Sequence, residues 1–422
     1  MTVQKEILYK TMLLVLFLMP ELFGSLEVNI SVGLLFFGIL LIEKQPKISK
    51  IMLNVLLPLL LVLITAFISM WFYHWNWYDI LKDFTYLLKP ILFISIGYRL
   101  VNKIKDKDEL FKILIYLGII FAVIHTLKAF YWIFFEYFEV NAVRRFAGKS
   151  NFIELLALFL LLANKEQKYF SLKLRYKKFF KLLLIISMIL YFSRTLLVGF
   201  FLFYIAYKGY TKITPKGLLY LSVLGIVSTG FFSYLNSIEL ERGAPGMEGL
   251  LYKISIAHEE IFISTEDISI KNHAYLWDHW RAYEANQAIN QLKETSYGLG
   301  LLFGQGLGAL VDLGFVAPLS NIRTQYIPRL HNGFAYVWFK SGLVGLFCYL
   351  GFIISLYLKT YSTQDDNIRR FYNNVISGIG IYFMFTSLII TGIYNQGDII
   401  SVFLGGIFAL KSHYIENRNI RD

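Results

Sequence analysis

Cationic side chains and a histidine, all in or beside apolar blocks, are the residues of this sequence whose types could do chemistry. The candidates are Lys89, Ser193, Arg194, Arg281, Arg329, His331 and Asn332. An arginine can bind phosphate oxygens through two parallel N–H groups, and a histidine can take up a proton near neutral pH. Several cations at one membrane depth, beside a group that can act as a base, suit a lipid-linked diphosphate and the activation of a hydroxyl. Asn332 is adjacent to His331 and could fix its ring.

Each candidate also has a purely structural explanation. Arg194 could extend its charge to the membrane interface, and His331 could be a hydrogen-bonded histidine at that interface. Arg281 lies in the middle of the apolar face of a helical pattern, where a guanidinium needs an anionic partner. That partner could be Asp278 or Glu284, each three residues away, or a substrate phosphate.

The elements that must position these residues are strongly apolar. Of the 422 residues, 56% are hydrophobic and only 17% are charged, and the mean hydropathy is +0.55. The apolar residues come in blocks of near membrane-spanning length, which predicts an all-α polytopic membrane protein and excludes a soluble enzyme, a disordered chain and a fibrous protein. Lys89 places an ammonium inside one block, 80–99, where charge is costly and indicates function. The lone cysteine, Cys348, excludes an intramolecular disulfide.

The basic residues set the predicted topology. They cluster between apolar blocks, most densely at 165–181, and these clusters rather than a nucleic-acid site account for the net charge of +12. The positive-inside rule places the clusters and both termini in the cytoplasm. Block 182–207 has basic segments on both sides, so we expect a short helical hairpin with its tip at Ser193–Thr195 and about twelve membrane helices in all. Three regions follow: membrane helices over 1–235, a large extracytoplasmic loop over 236–332 and membrane helices over 333–422.

The loop 236–332 is the region that could hold a water-exposed site, because loops of this length are usually functional. We expect short helices within it. Gly304–Gly308 has the glycine spacing of part of a nucleotide loop, but no predicted strand precedes it, so a turn that lets the backbone pack closely is the better interpretation. His258–Glu260 lacks the second histidine of a zinc helix. The sequence therefore predicts neither a metal nor a cofactor.

Several of these motifs resemble those of one family. Leu330–Gly333, followed by Gly342 and Gly345, is similar to the His-Asn…Gly-x-x-Gly signature of the O-antigen polymerase and O-antigen ligase superfamily, and Ser193-Arg194 resembles its Ser-Arg motif. Trp280–Glu284 and Phe303–Gly308 resemble the two motifs of its large periplasmic loop. The motifs that complete the resemblance are the membrane lysine, Lys89, and the loop arginine, Arg281, which here follows the aromatic residue instead of preceding it by about four residues, where Leu276 stands.

The resemblance implies glycan transfer at the outer face of the bacterial cytoplasmic membrane, without a metal and with inversion at the anomeric carbon. The donor would be a glycan on undecaprenyl diphosphate. Arg194 and Arg281, with Arg329 and Lys89, would bind the diphosphate, and His331 would be the catalytic base, supported by Asn332 and Ser193. Partners would be membrane lipid, a chain-length regulator and a flippase.

Three functions remain open at this stage. A polymerase, which the combination of motifs favours, would join lipid-linked repeat units into O-antigen, capsule or exopolysaccharide. A ligase would transfer the same glycan to lipid A core. A lipid-linked oligosaccharide transporter is the third alternative, but we find no inverted repeat, and the motifs concentrate at one face instead of the midplane that a transporter uses.

Overall fold

The computed structural model describes residues 3–42, 50–136, 140–148, 151–165, 168–244, 247–257, 272–319, 322–362 and 366–419. The segment His258–Glu260 lies outside the described residues. Where the structure describes the chain, it is mostly helical, as the composition predicts.

The described helices fall into a long N-terminal series, a group of short helices and a C-terminal series. They are α1 (Val3–Leu22), α2 (Leu26–Ile42), α3 (Lys50–Ser69), α4 (Trp77–Lys103), α5 (Glu109–Phe135), α6 (Val140–Phe146), α7 (Asn151–Ala163), α8 (Lys177–Leu190), α9 (Arg194–Tyr207), α10 (Pro215–Asn236), α11 (Met247–Ser255), α12 (His273–Asp278), α13 (Trp280–Lys293), α14 (Leu299–Phe303), α15 (Gly333–Tyr357), α16 (Asn367–Ile389) and α17 (Ile400–Asn419).

Four of the helical segments are long and apolar enough to cross a membrane, among the residues that the structure describes. They are Lys50–Phe72, Trp77–Lys103, Glu109–Phe135 and Gly333–Tyr361. Three shorter apolar helices, α2, α7 and α9, accompany them. Helices satisfy all their interior backbone hydrogen bonds within the segment, which is why apolar blocks of this length adopt them in lipid. These helices indicate a membrane protein.

Two helices, not one, cover the block 182–207. Helix α8 ends at Leu190 and α9 begins at Arg194, with a three-residue turn between them in which Phe192 has φ 46°. The Ser193 hydroxyl accepts a hydrogen bond from the backbone N–H of Leu196 at 3.3 Å and so caps α9. Ser193 thus has a structural role at the start of the helix that carries Arg194.

The predicted extracytoplasmic loop contains a β-hairpin as well as short helices. Strands β1 (Val311–Leu319) and β2 (Ile322–Ile327) are antiparallel, with Val311 opposite Ile327 and Leu319 opposite Ile322. An irregularity between Asp312 and Ala317 interrupts the register. Pro318 and Gly314 lie within β1, and such residues weaken a strand signal in sequence. The hairpin follows α14 and leads directly to the segment that carries Arg329 and His331.

The chain forms two compact units, each made of discontinuous stretches. The first consists of Met1–Lys107, Ile261–Lys359 and Ile379–Asp422, and the second of Asp108–Glu260 and Thr360–Gly378. In the first unit, α4 packs against α1, α2, α3 and α17, and α15 packs against α3 and α13. In the second, α5 packs against α7 and α8, and α7 packs against α8 and α9. The first unit therefore holds the loop helices α12, α13 and α14 and the helix that follows His331, whereas α11 belongs to the second unit.

Candidate functional site

The candidate site lies at the N-terminal end of α15, in the first unit. Asn332 is the N-cap of this helix, and its side-chain oxygen accepts hydrogen bonds from the backbone N–H groups of Phe334 and Ala335, each at 3.0 Å. Such a cap satisfies donors that the first turn of a helix leaves unpaired. The cap fixes where α15 begins and hence where His331, the preceding residue, is held.

Glu284 on α13 binds both the side chain and the backbone of His331. The imidazole Nδ1 lies 2.9 Å from one carboxylate oxygen of Glu284 and 3.0 Å from the other, and the backbone N–H of His331 donates to the carboxylate at 2.9 Å. The carboxylate is buried, with 3% of the side chain exposed, whereas 54% of the His331 side chain is exposed. A carboxylate beside Nδ1 assigns the proton to that nitrogen, which leaves Nε2 as an acceptor.

A cavity of about 470 Å³ opens at this pair. Its polar lining includes Glu284, Arg329, His331, Thr391, Asn395 and Gln396. Trp280, Tyr394 and several aliphatic side chains of β1, β2 and the adjoining segments supply the apolar part of the wall. A concave site with apolar walls and a few convergent polar groups is the usual form of a small-molecule site. The residues of the cavity come from α13, the hairpin, the segment before α15 and the segment between α16 and α17.

Arg329 brings a positive charge to the cavity. Its guanidinium lies over the ring of Tyr86, 4.7 Å from the ring centroid, and its Nη1 donates to the side-chain oxygen of Gln396 at 3.3 Å. Gln396 in turn donates through its amide to the backbone carbonyl of Gly24. Stacking on an aromatic face and a fixed amide partner hold the planar guanidinium in one orientation, as the recognition of a phosphate requires.

Lys89 donates hydrogen bonds to the backbone of the segment that carries Gln396. The side chain is buried, with 1% exposed, and its ammonium donates to the backbone carbonyls of Asn395 at 2.5 Å and Gln396 at 2.8 Å. An ammonium in apolar surroundings is stable only when its donors are paired, and these carbonyls pair two of them. The binding of diphosphate by Lys89 stays a prediction. These contacts make Lys89 a positioning residue for Gln396 and, through it, for Arg329.

Two contacts near His331 differ from those that the sequence suggests. Asn332 was expected to fix the His331 ring, but its oxygen caps α15, and Glu284 holds the ring instead. In the sequence, Glu284 is a local partner for Arg281, three residues away on one helix, and the last residue of the Trp280–Glu284 motif. The contact between Glu284 and His331 joins residues 47 positions apart, and no local sequence pattern predicts such a contact.

The remaining arginines lie apart from this group of contacts. Arg281 is partly buried on α13, and among the described residues it is not one of those that line the cavity. Arg194 is the first residue of α9 in the second unit, where its Nη1 donates to the backbone carbonyl of Lys253. Their predicted role in binding diphosphate stays a prediction.

The Gly304–Gly308 segment is a close-packed turn, as predicted. Gly306 has φ 81°, and a Cβ atom there would lie 2.2 Å from the backbone nitrogen of Met70. The backbone N–H of Gly306 donates to the carbonyl of Lys340 at 3.0 Å, and that of Gly308 donates to the Asp83 carboxylate at 2.7 Å. Only glycine allows this approach. The turn thus connects the loop to α4 through Asp83 and to α15 through Lys340, about two helical turns after His331.

A buried ion pair supports the same turn. The Lys340 ammonium donates to Asp83 and to the carbonyl of Ala309, and both charged side chains are almost fully buried. Nearby on α13, the Tyr283 phenol donates to the carbonyl of Leu313 on β1, and burial raises the pKa of this phenol, so that it remains a neutral donor. These contacts hold the helix that carries Glu284 against the hairpin.

The site combines a base, His331, with a cation, Arg329, in the lining of one cavity. Among the described residues, no group of three or more histidine, cysteine, aspartate or glutamate side chains could hold a metal ion. Comparison with models of known protein families and with curated proteins gave no match to this chain. The functional argument therefore depends on the geometry of Glu284, His331 and Arg329.

Proposed function

We propose that this protein is a membrane glycosyltransferase that polymerises undecaprenyl-diphosphate-linked oligosaccharide repeat units into O-antigen, capsule or exopolysaccharide. The observation that carries the proposal is the Glu284–His331 pair, whose imidazole is half exposed in a cavity that Arg329 also lines. A buried carboxylate that orients an imidazole is the arrangement of a general base. A neighbouring guanidinium suits the diphosphate of a lipid-linked donor.

In the proposed reaction, Nε2 of His331 takes the proton of an acceptor hydroxyl as the hydroxyl oxygen attacks the anomeric carbon of the donor sugar. The new glycosidic bond forms while the bond between that carbon and the diphosphate oxygen breaks, and undecaprenyl diphosphate leaves with the bonding electrons. Glu284 stabilises the imidazolium that results. Arg329 offsets the negative charge that develops on the leaving oxygen, which is the stage at which such a cation accelerates the reaction. Direct displacement inverts the anomeric configuration.

The proposed location is the outer face of the bacterial cytoplasmic membrane. With the basic segments between apolar blocks on the cytoplasmic side, both termini would be cytoplasmic, and with the hairpin of α8 and α9 the chain would cross the membrane about twelve times. His331 would then lie at the outer end of α15, where a flipped lipid-linked donor is available. Arg194 and Arg281 would add further positive charge for the diphosphate.

A ligase that transfers the glycan to lipid A core would use the same donor and the same pair. The two functions differ in the acceptor, so the polysaccharide of a deletion strain distinguishes them. A single repeat unit on the final acceptor, with no ladder of longer chains, indicates a polymerase. Long lipid-linked polymer together with bare core indicates a ligase.

The proposal is tested with purified protein in lipid nanodiscs and a lipid-linked donor. We expect His331→Ala to abolish chain extension and His331→Gln to fail as well, because an amide accepts no proton at neutral pH. Arg281→Lys separates the two explanations for Arg281, since a bidentate phosphate contact is lost and a simple ion pair is kept. Near-normal turnover of His331→Gln would contradict the proposed base, and unchanged turnover of Arg281→Lys would remove Arg281 from the site.

A further inference from the structure

A chain of buried polar side chains crosses the apolar helices of the second unit. It consists of His125 on α5, Glu154 on α7, Ser187 on α8 and Tyr191 just after α8, all between 0 and 3% exposed. Ionisable residues at such positions are rare in membrane helices and usually functional. The proposed glycan transfer makes no use of them.

The contacts run in one direction, from the imidazole to the carboxylate. His125 Nδ1 lies 2.8 Å from the Ser187 hydroxyl oxygen, and that hydroxyl donates to one oxygen of Glu154. The Tyr191 hydroxyl donates to the other oxygen of Glu154 at 2.8 Å, and its ring stacks on the imidazole with centroids 3.7 Å apart. Because the Ser187 proton goes to Glu154, the Ser187 oxygen accepts the Nδ1–H of His125.

The order of the three groups separates this chain from a hydrolytic triad. In a triad the histidine lies between the nucleophilic hydroxyl and the acid, and the hydroxyl reaches substrate. Here the hydroxyl of Ser187 lies between His125 and Glu154, and it is fully buried. A hydroxyl that both accepts and donates in this way can pass a proton between its neighbours.

The other imidazole nitrogen lacks a partner. His125 Nε2 is buried and has no hydrogen-bond partner among the described residues. An unpaired nitrogen in apolar surroundings is costly, whereas a proton bound at Nε2 can be passed along the hydrogen-bonded chain to Glu154.

We propose that His125, Ser187 and Glu154 form a proton-binding site in the second unit, in which Ser187 relays the proton between the two ionisable groups. A proton that binds to Nε2 makes His125 an imidazolium. The Nδ1 proton then passes to the Ser187 oxygen as the Ser187 proton passes to Glu154. The products are a neutral histidine protonated on Nε2, an intact serine hydroxyl and a neutral carboxylic acid.

Groups on the neighbouring elements define the electrostatic setting of this site. His125 is buried, and Lys128 lies one turn along the same helix, so burial and a like charge both oppose an imidazolium there. The Tyr191 hydroxyl favours the ionised form of Glu154 by donating to it. Among the described residues, further charged side chains on these helices and their neighbours are Glu109 and Lys112 on α5, Lys177, Lys178 and Lys181 on α8, Arg144 and Arg145 on α6, and Arg194 on α9. Lys128 therefore disfavours the proton on His125, and Tyr191 disfavours it on Glu154.

The site is tested by infrared difference spectroscopy of the full-length protein in lipid nanodiscs across a pH titration. Protonation of Glu154 gives a carbonyl band of a neutral carboxyl group, which we expect to be missing from Glu154→Gln. Ser187→Ala interrupts the relay, and we expect it to move the midpoint of this band by about one pH unit or more. Thr126→Val, a nearly isosteric change at the buried residue next to His125, is the matched control and should leave band and midpoint unchanged.

Two results would overturn the inference. One is a carboxyl spectrum of Glu154→Gln that equals that of the wild type throughout the titration. The other is a midpoint in Ser187→Ala equal to that of the wild type. If either variant fails to elute as a single species, ¹⁵N-histidine NMR of the wild-type protein decides. The proton of one neutral imidazole must move from Nδ1 to Nε2 in step with the carboxyl band, and a tautomer that stays the same while the band appears refutes the relay.

Discussion

Replacing Glu284 by glutamine tests whether the buried carboxylate makes His331 a base. The glutamine side chain has nearly the same shape, but one of its two polar atoms is an NH₂ donor. Both carboxylate oxygens of Glu284 now lie within 3.0 Å of donors of His331. In Glu284→Gln, either the backbone N–H or Nδ1 therefore faces a second donor. The imidazole can relieve this conflict by moving its proton from Nδ1 to Nε2, which removes the acceptor that the reaction needs.

The expected loss follows from what a positioned base contributes. General base catalysis accelerates reactions by about 10² to 10⁴-fold, which corresponds to about 3 to 5 kcal/mol of transition-state stabilisation. The equivalent carboxylate-to-amide change in a serine protease triad lowers turnover by about 10⁴-fold through the wrong tautomer. We therefore expect Glu284→Gln to lower kcat by about 10² to 10⁴-fold. Donor binding should change little, because the guanidinium of Arg329 is held by Gln396 and Tyr86 and not by Glu284.

The assay measures chain extension by purified protein in nanodiscs under single-turnover conditions, with donor binding measured separately. Glu294→Gln is the matched control, since it makes the same chemical change at an exposed position just after the same helix. The double variant His331→Ala with Glu284→Gln should be no slower than His331→Ala alone, because residues that act as a unit are not additive.

One combination of results would refute this reasoning. If Glu284→Gln extends chains at a near-normal rate while His331→Ala does not, the carboxylate does not set the tautomer. Glu284 would then be a structural partner of the segment before α15, and the base would depend on His331 alone. A double variant much slower than either single variant would give Glu284 a separate role.

Three further predictions concern charge, packing and topology. Arg329→Lys keeps a positive charge but loses the planar fork, so we expect donor binding to weaken by about ten- to a hundredfold; unchanged affinity would place the diphosphate elsewhere. Gly306→Ala forces a side chain into backbone at φ 81° and should lower the thermal midpoint clearly, whereas Gly351→Ala, which meets nothing within 4 Å, should not; equal midpoints would contradict the close-packed turn. In a Cys348→Ser background, Thr195→Cys should react with an impermeant thiol reagent from outside, and labelling only from the cytoplasm would rule out the proposed hairpin orientation.

Features governed by local chemistry could be predicted from the sequence. The helical character follows from apolar block length, and the break between α8 and α9 follows from basic segments on both sides of one block. The turn at Gly304–Gly308 follows from glycine spacing without a preceding strand. Each depends on residues that are close together in the chain.

Features that depend on distant contacts could not be predicted in this way. The Glu284–His331 pair joins residues 47 positions apart, and Lys89 reaches carbonyls 306 and 307 positions away. Lys89 could be recognised as a costly ammonium, but nothing local distinguishes a phosphate partner from two backbone carbonyls. The β-hairpin was also missed, because Gly314 and Pro318 interrupt the strand pattern of β1.

The base and the guanidinium that line the cavity are both positioned by buried charged side chains: His331 directly by Glu284, and Arg329 by Lys89 through Gln396. A buried carboxylate such as Glu284 is stable only when its oxygens accept hydrogen bonds, and here His331 supplies the donors. The buried ammonium of Lys89 has the same need and meets it on the backbone beside Gln396, which holds Arg329. Because folding itself must pair these charges, the base and the guanidinium are oriented before a substrate arrives. A preorganised site of this kind needs little reorganisation during the reaction. Loss of Lys89 should consequently appear first in the binding of the donor, and loss of Glu284 in the rate of transfer.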